Sequence, residues 1–511
     1  MSSSFPWLTA LIVVPVLGAV LLWALPAGLR KHARSVALAV AVVVLALGVG
    51  ALLAFDTDAS QAIQLYEQHA WIPALGVSYA VGVDGVGLAL VLMSIVLVPL
   101  VVLAAWREQD SLTVATDRLR RYLALILLLE AFIVAVFSAR DVFLFYVLFE
   151  AMLVPVYFMI GMFGGALRRY AAVKFLLYSL AGGLIMLIAV IALYLQGDGG
   201  PEGFLTANLT GLDIAPTTEK LLFLAFFLAF AIKAPMFPVH TWLPDAAQQA
   251  PAGTSTLLVG VLDKVGTFGM LTLCLPLFPD ASRWAAPVII VLALVSIIYG
   301  AALAIGQKDI MRLIAYTSVS HFGFIVLGIF AFTSTSIAGS SFYMVNHGLS
   351  TGAMFLLAGF LVARRGTQEI SAFGGLQKIV PVFAGFFLVA GLSVLSLPGL
   401  STFISEFLVI VGTFARHPAA AIVSTVGVVL AAIYILWLYQ RVFTGPAPAD
   451  LEGTADLRAR ERWAIAPLLL LMLIFGFVPR PALDLVSPPA SVTLEQVGVT
   501  DVPAGTDEGS N

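Results

Sequence analysis

The sequence has 511 residues, of which 61 % are hydrophobic and 11 % are charged, whereas a typical soluble domain has about 25 % charged residues. A soluble fold cannot bury so much apolar surface, so the composition predicts a membrane protein. The net charge of −3 gives no sign of nucleic-acid binding, and the single cysteine, Cys274, excludes a four-thiolate iron–sulfur cluster and an internal disulfide. No glycine-rich nucleotide motif occurs, so we expect no cofactor and no bound metal ion on this chain.

Apolar runs of about 20 residues recur along the chain, and each can cross about 30 Å of hydrocarbon as a helix. Lipid offers the backbone no hydrogen-bond partner, so these runs must be helical. We therefore predict an all-α polytopic membrane protein with about 14 transmembrane helices. The predicted spans are 5–25, 35–55, 84–106, 121–139, 141–163, 170–195, 220–240, 253–275, 284–306, 309–332, 337–363, 379–415, 420–443 and 463–479.

The segments between and after the spans carry three further signals. The loop 56–82 contains an alternating, glycine-bearing stretch that predicts a small β-hairpin at the membrane surface. Nineteen Lys and Arg residues follow odd-numbered spans and five follow even-numbered ones. Because basic residues collect in cytoplasmic loops, this asymmetry places both termini on the outer face. The tail after Arg480 is rich in Pro, Ser, Asp and Glu, so we expect it to be mostly disordered.

Ionisable residues inside the predicted spans are the most informative feature, because each costs about 2.5–3.5 kcal/mol at a helix centre. Burial can bring Glu, Lys and His to exchange protons near neutral pH, whereas Arg stays charged and suits static ion pairs. No Arg lies in mid-span, which favours proton transfer over interhelical pairs that merely hold the bundle together. The residues are Glu130, Glu150, Lys233, Asp263, Lys264, His321, His347 and Glu406.

Some of these residues have a plainer interpretation when each is taken alone. Glu130 is also explained as a packing residue, Asp263 as a group that neutralises Lys264, and His321 as a satisfied core histidine.

Two of the charged spans are also interrupted. Pro235 and Pro238 follow Lys233 in span 7, and Pro398-Gly399 precedes Glu406 in span 12. Paired broken helices at corresponding positions are typical of transporters with internal repeats, and a repeat of five helices must enter the membrane from alternate sides.

The predicted organisation has five parts in chain order. Three N-terminal helices (1–120) precede two inverted five-helix repeats, 121–275 with spans 4–8 and 284–443 with spans 9–13. A loop with span 14 (444–480) and the disordered tail (481–511) follow the repeats.

Several segments together resemble a known family, the antiporter-like membrane subunits of respiratory complex I. The resemblance covers most of residues 70–445 and is carried by FLFYVLFEAMLVPVYFMIG, KAPMFPVHTWLPDA, LVGVLDKVGTFGM, QKDIMRLIAYTSVSHFGF, VNHGLSTGAMF and SLPGLSTFISEF. It implies that Glu150 and Lys233 form the Glu–Lys pair of the family and that Lys264 is its central lysine.

The resemblance extends to the second repeat. It implies that His321 and His347 bridge toward a terminal carboxylate, Glu406, on the second broken helix. A glutamate at this position is typical of the M-type subunit, since the L and N types carry lysine.

The function that the resemblance implies is proton translocation by a subunit of NADH–quinone oxidoreductase in the bacterial inner membrane. Redox chemistry would take place in other subunits. The implied partners are the other membrane subunits of complex I, including antiporter-like paralogues, together with lipid. The alternatives are a subunit of a multisubunit Na⁺/H⁺ antiporter or of a membrane-bound hydrogenase, a non-transporting scaffold, and a stand-alone solute transporter.

Overall fold

The computed structural model describes residues 5–107 and 115–502, and most of them are helical. Up to the first broken span, the α-helices are α1 Trp7–Ala24, α2 Ala33–Ala54, α3 Gly85–Ala104, α4 Ala115–Ser138, α5 Val142–Ala151, α6 Leu153–Phe163, α7 Arg168–Tyr194, α8 Thr206–Leu209, α9 Pro216–Lys233 and α10 Trp242–Gln249. The later helices are α11 Ala252–Leu257, α12 Lys264–Gly269, α13 Leu275–Leu277, α14 Pro279–Ile305, α15 Ile310–Phe330, α16 Ser334–Arg365, α17 Pro381–Val394, α18 Ser401–Arg416, α19 Pro418–Phe443, α20 Ala459–Phe477 and α21 Arg480–Gln496. Two π-helical segments, Leu258–Leu262 and Met270–Cys274, join α11, α12 and α13 into one continuous rod.

Each predicted span overlaps one or more of these helices. Within the described ranges, 11 helical segments are long and apolar enough to cross a membrane, or 12 if α20 and α21, which are bent by 71°, count as one span. The other predicted spans are charged or divided: α9 carries Glu219, Lys220 and Lys233, and span 12 is split into α17 and α18. The chain is thus a multi-pass helical membrane protein, while the number 14 and the inverted repeats stay predictions.

Burial separates the helices into a core and a periphery. The rod formed by 252–277 and the helices α15 and α16 are almost wholly buried, whereas α1, α2 and α19 leave most of their apolar surface exposed. An apolar helix surrounded by protein on every side is free to carry polar groups, because those groups meet other side chains and not lipid. The central three elements can therefore hold ionisable side chains without exposing them to lipid.

A two-stranded antiparallel sheet, β1 Gln64–Ile72 and β2 Val77–Val83, confirms the hairpin predicted in the loop 56–82. Its turn ends at Gly76, whose φ of 77° is a conformation that glycine adopts without strain. Asp141 ties this hairpin to α5, because its carboxylate accepts hydrogen bonds from the backbone N–H of Ser78 at 2.8 Å and of Leu144 at 2.9 Å. This sheet is the one departure from an all-α fold among the described residues.

The prediction of a disordered tail is wrong for residues 481–496, which belong to α21. The composition suggested disorder, but the helix collects its apolar residues on one side and buries Leu485, Val486 and Leu494. The backbones of α3 and α21 lie in close contact there: a Cβ at Gly85 of α3 would overlap the carbonyl oxygen of Leu485. Tertiary packing therefore outweighs composition, and residues 503–511 lie outside the described part of the chain.

Candidate functional site

Both predicted helix breaks are present. Helix α9 ends at Lys233, and residues 234–241 run irregularly before α10 begins, as Pro235 and Pro238 predict. Helix α17 ends at Val394 and α18 begins at Ser401; within this gap Ser396 has a φ of 60° and Gly399 a φ of 93°. The first break leaves Lys233 at the end of a helix, and the second places Glu406 in the second turn of one.

Glu150 and Lys233 lie near each other without a direct hydrogen bond. The Glu150 carboxyl lies against Gly183 of α7, where any Cβ would overlap Oε1, so the glycine makes room for the acid. Lys233 is 1 % exposed, and its Nζ lies 4.5 Å from the ring centroid of Phe149, the residue before Glu150. The two groups interact electrostatically, yet neither Lys233 Nζ nor Glu150 Oε1 has a hydrogen-bond partner among the described residues.

Lys264 is fully buried and has two close partners. It directly follows the junction at Asp263, after the π-helical turn 258–262, a type of distortion that is frequent at functional sites. Its Nζ donates a hydrogen bond to the carbonyl oxygen of Val259 at 2.5 Å and lies 2.6 Å from Nδ1 of His347 on α16. A lysine amine at this distance from an imidazole nitrogen can exchange a proton with it directly.

From His347 the contacts continue to Glu406. The rings of His347 and His321 have centroids 5.4 Å apart, and His321 Nδ1 lies 2.5 Å from the hydroxyl of Tyr343. Tyr343 donates to Glu406 Oε2 at 2.8 Å, and Ser396, in the gap between α17 and α18, donates to the same oxygen at 2.5 Å. These groups are all buried, so four helices and one helix break surround an internal row of polar groups in which hydrogen bonds alternate with one ring contact, between His347 and His321.

Comparisons with known proteins agree with this arrangement. The transmembrane family model of NADH:quinone oxidoreductases and Mrp antiporters matches residues 139–433. The M subunit of NADH-quinone oxidoreductase from Mycobacterium tuberculosis is 48 % identical over 98 % of this chain and 96 % of that protein. The chain belongs to the family of NADH-quinone oxidoreductase M subunits. The Rhodobacter capsulatus M subunit is 38 % identical over 90 % of each chain.

Solved structures extend the likeness to the whole fold of this M-subunit family member. A chain of respiratory complex I from Thermus thermophilus superimposes with a TM-score of 0.86 at 32 % identity, covering 96 % of this chain and 100 % of that one. A chain of the Mrp complex from Dietzia has a TM-score of 0.83 at 23 % identity, covering 96 % of this chain and 99 % of that one. The second likeness shows the fold alone, so the comparisons favour the complex I family over the antiporter alternative.

Tyr343 is the main site residue that the sequence analysis missed. That analysis considered groups that exchange protons near neutral pH, and an ordinary tyrosine has a pKa of about 10. A signal was nevertheless present: Tyr343 lies four residues before His347 and therefore on the same face of α16. Tyr434 of α19 was missed as well, and its hydroxyl lies 3.4 Å from Nε2 of His321.

The remaining buried ionisable residues lie beside the path or away from it. Asp263 is adjacent to Lys264 and interacts electrostatically with both Lys264 and Lys233. Glu130 on α4 is 1 % exposed and has no hydrogen-bond partner among the described residues. His240, between α9 and α10, packs among the rings of Phe237, Tyr299 and Tyr316. In the described part of the chain, no three His, Cys, Asp or Glu residues are grouped to hold a metal ion.

Proposed function

We propose that this chain translocates protons across the bacterial inner membrane as a subunit of an NADH-quinone oxidoreductase, driven by quinone reduction in neighbouring subunits. One observation carries the proposal: buried proton-exchanging groups form a connected path from Lys264 through His347, His321 and Tyr343 to Glu406. A bundle that only needed stability would be as well served by apolar side chains, because buried ion pairs often add nothing to stability.

The Glu150–Lys233 pair is the proposed point of control. A charged Glu150 stabilises the buried ammonium of Lys233, because an opposite charge offsets the cost of burial. If Glu150 moves away or is neutralised, the ammonium beside Phe149 loses this stabilisation, and it releases its proton. The absence of a direct hydrogen bond in the pair means that little has to be broken when the two groups separate.

The path beyond Lys264 then carries the proton by short transfers. Lys264 passes a proton from Nζ to His347 Nδ1 across 2.6 Å. His321 Nδ1 donates to the Tyr343 hydroxyl while Tyr343 donates to Glu406, so one proton entering the chain at His321 delivers another to the carboxylate. Water carries the proton between the rings of His347 and His321, whose centroids are 5.4 Å apart, and once each group has released the proton that it received, no net charge is left behind.

The same proposal covers orientation and partners. Both termini are assigned to the outer face, and the basic loops after odd-numbered spans support this orientation. The exposed apolar faces of α1, α2 and α19 would contact lipid and the other membrane subunits, including antiporter-like paralogues. Oxidation of NADH and reduction of quinone are assigned to those other subunits, and this chain contributes the proton path.

Substitution of Lys233 by arginine tests the proposal. Arginine keeps the positive charge but does not release its proton, so NADH-driven pumping by inverted membrane vesicles that contain the whole complex should be abolished. The matched control is Lys220→Arg on the same helix, where Nζ lies over the ring of Trp284 near the helix start. The control should pump at the wild-type rate, and normal pumping by Lys233→Arg in an assembled complex would reject the proposal.

A further inference from the structure

Asp263 occupies the junction between the two parts of the proposed path. It separates the π-helical turn 258–262 from α12 and immediately precedes Lys264. Its side chain is 0 % exposed, and neither carboxylate oxygen has a hydrogen-bond partner among the described residues. A buried carboxylate without a protein partner is costly, so this acid needs an explanation beyond packing.

Helix packing brings Asp263 to Lys233. Helix α12 lies directly on the end of α9, because a Cβ at Gly266 would come within 2.5 Å of the carbonyl oxygen of Phe230 and 2.7 Å of the amide nitrogen of Ala234. Gly266 is three residues after Asp263, so both lie on one side of the rod. Lys233 interacts electrostatically with Glu150 and Asp263, and Lys264 interacts with Asp263.

Consecutive residues on a helix point about 100° apart, so Asp263 and Lys264 of the rod interact with different neighbouring helices. Lys264 reaches His347 on α16, while Asp263 interacts with Lys233 at the end of α9. No direct hydrogen bond joins Lys233 to Lys264 in the described part of the chain, since Lys233 Nζ has no partner there. The carboxylate of Asp263 is an ionisable group that interacts with both amines.

We propose that Asp263 carries the proton from Lys233 to Lys264, an inference that rests on the proposed function. The ammonium of Lys233 loses one proton and becomes an amine, and the carboxylate of Asp263 gains that proton and becomes a carboxylic acid. The acid then protonates the amine of Lys264 and returns to a carboxylate. Water bridges the transfers, since the protein supplies no direct bond and buried polar groups without protein partners are commonly bridged by water.

The electrostatics of this step are favourable in a buried site. In the first transfer an ammonium and a carboxylate become an amine and a carboxylic acid, so a pair of buried charges becomes a neutral pair. Neither group is left charged alone, which would be the most costly state at this depth. Direct transfer between the two lysines would lack such a neutral intermediate.

The rival explanation is that Asp263 stays ionised and only offsets the charge of Lys264. Both explanations require a carboxylate, but only the relay requires it to take up a proton during turnover. The chain offers a matched control in Glu130, a second buried carboxylate whose oxygens have no partner among the described residues and on which no charged group is seen to act. Glu130→Gln therefore removes a comparable buried acid that no contact among the described residues joins to the path.

The first measurement is NADH-driven pumping by inverted vesicles containing the assembled complex. We expect Asp263→Asn to pump at least about tenfold more slowly, because a positioned proton acceptor contributes roughly 100-fold or more to a transfer step. Asp263→Glu should restore most of the rate, and Glu130→Gln should pump as the wild type does. Normal pumping by Asp263→Asn, or an equal loss in Glu130→Gln, would overturn the relay.

The second measurement distinguishes the relay from charge compensation. Infrared difference spectra recorded during turnover should contain the C=O stretch of a protonated carboxylic acid that disappears in Asp263→Asn and persists in Glu130→Gln. A spectrum in which no band depends on Asp263 would overturn the relay. If Asp263→Asn pumps normally while Lys233→Arg does not, the relay alone fails; if Lys233→Arg also pumps, the proposed function fails with it.

Discussion

The two halves of the buried polar row are connected in different ways. In the first half, Glu150, Lys233 and Asp263 interact through space, and Lys233 Nζ and both Asp263 oxygens have no direct partner in the described part of the chain. In the second half, the groups from Lys264 to Glu406 lie in contact with one another, with donor–acceptor distances of 2.5–2.8 Å at the lysine–histidine and tyrosine links. The first half is held by electrostatics, and the second by hydrogen bonds with one ring contact between His347 and His321.

This difference suggests a division of labour. Electrostatic interactions act over several ångströms and change gradually as groups move, so the first half can respond to a charge elsewhere in the complex. Hydrogen bonds need fixed distances and angles, so the second half suits conduction along a set path. The close approach of α12 to α9 at Gly266 and the position of the Glu150 carboxyl against Gly183 belong to the first half, and both depend on the absence of a Cβ.

Removal of Lys264, where the two halves meet, should have the largest effect. Methionine has similar length and no charge, so Lys264→Met leaves His347 Nδ1 and the carbonyl of Val259 without the shared donor. We expect pumping to fall to background in an assembled complex, with Lys220→Met as the control for loss of a lysine. A Lys264→Met complex that pumped at half the wild-type rate would show that the two halves are joined by another route.

Loss of one hydroxyl in the second half should have the next largest effect. Tyr343→Phe removes the group between His321 and Glu406. A proton-transfer partner contributes roughly 100-fold or more to the rate where nothing replaces it. Because water can partly replace the lost hydroxyl, we expect pumping to fall about tenfold. Tyr434→Phe is the control, since its contact with His321 at 3.4 Å is near the limit of a hydrogen bond. Equal rates for the two variants would mean that the tyrosine link is not on the path.

Sequence reasoning found the ionisable residues of both halves but only part of their connections. The proline-containing breaks and the buried Lys, His and Glu residues follow from hydropathy and from the cost of charge in lipid. Tyr343 was missed because its role depends on two neighbours from other helices, His321 on α15 and Glu406 on α18. The open geometry of Glu150 and Lys233 depends on tertiary distances, which no residue pattern encodes. Helix α21 forms because α16 and α3 cover its apolar side, and composition alone carries no information about such packing.

A methyl group placed in the first half should have a moderate effect. Gly183→Ala puts a Cβ where Glu150 Oε1 now lies, so the carboxylate must turn away and stabilise Lys233 less well. We expect pumping to fall several-fold while the second half keeps its contacts. Gly161→Ala is the control, because its Cβ would meet only Ala172 at an ordinary 3.5 Å. If both variants pump alike, the position of the Glu150 carboxyl does not control proton transfer along the buried polar row.

The smallest effect on pumping is expected from Asp245 of α10, which lies outside the predicted spans and joins α7 to α15. It accepts hydrogen bonds from Lys174 of α7 at 2.7 Å and from Arg312 of α15 at 2.5 Å. Burial raises the pKa of Asp245, but these two cations outweigh burial and hold the pKa below its usual value. Asp245→Asn should therefore lower the free energy of unfolding by about 1–3 kcal/mol and lower Tm, while pumping at room temperature is retained.

The pH dependence of that loss follows from the sign of the shift. A carboxylate with a lowered pKa stabilises the fold fully above its ordinary pKa of about 4, and this contribution is lost as pH falls through the folded-state value. The Tm difference between wild type and Asp245→Asn should therefore be constant at neutral pH and shrink below about pH 4. Asp280→Asn, which removes an exposed carboxylate paired with Arg283, should leave Tm unchanged. A Tm difference at Asp245 that grows on acidification would show that the stabilisation does not come from the ionised carboxylate.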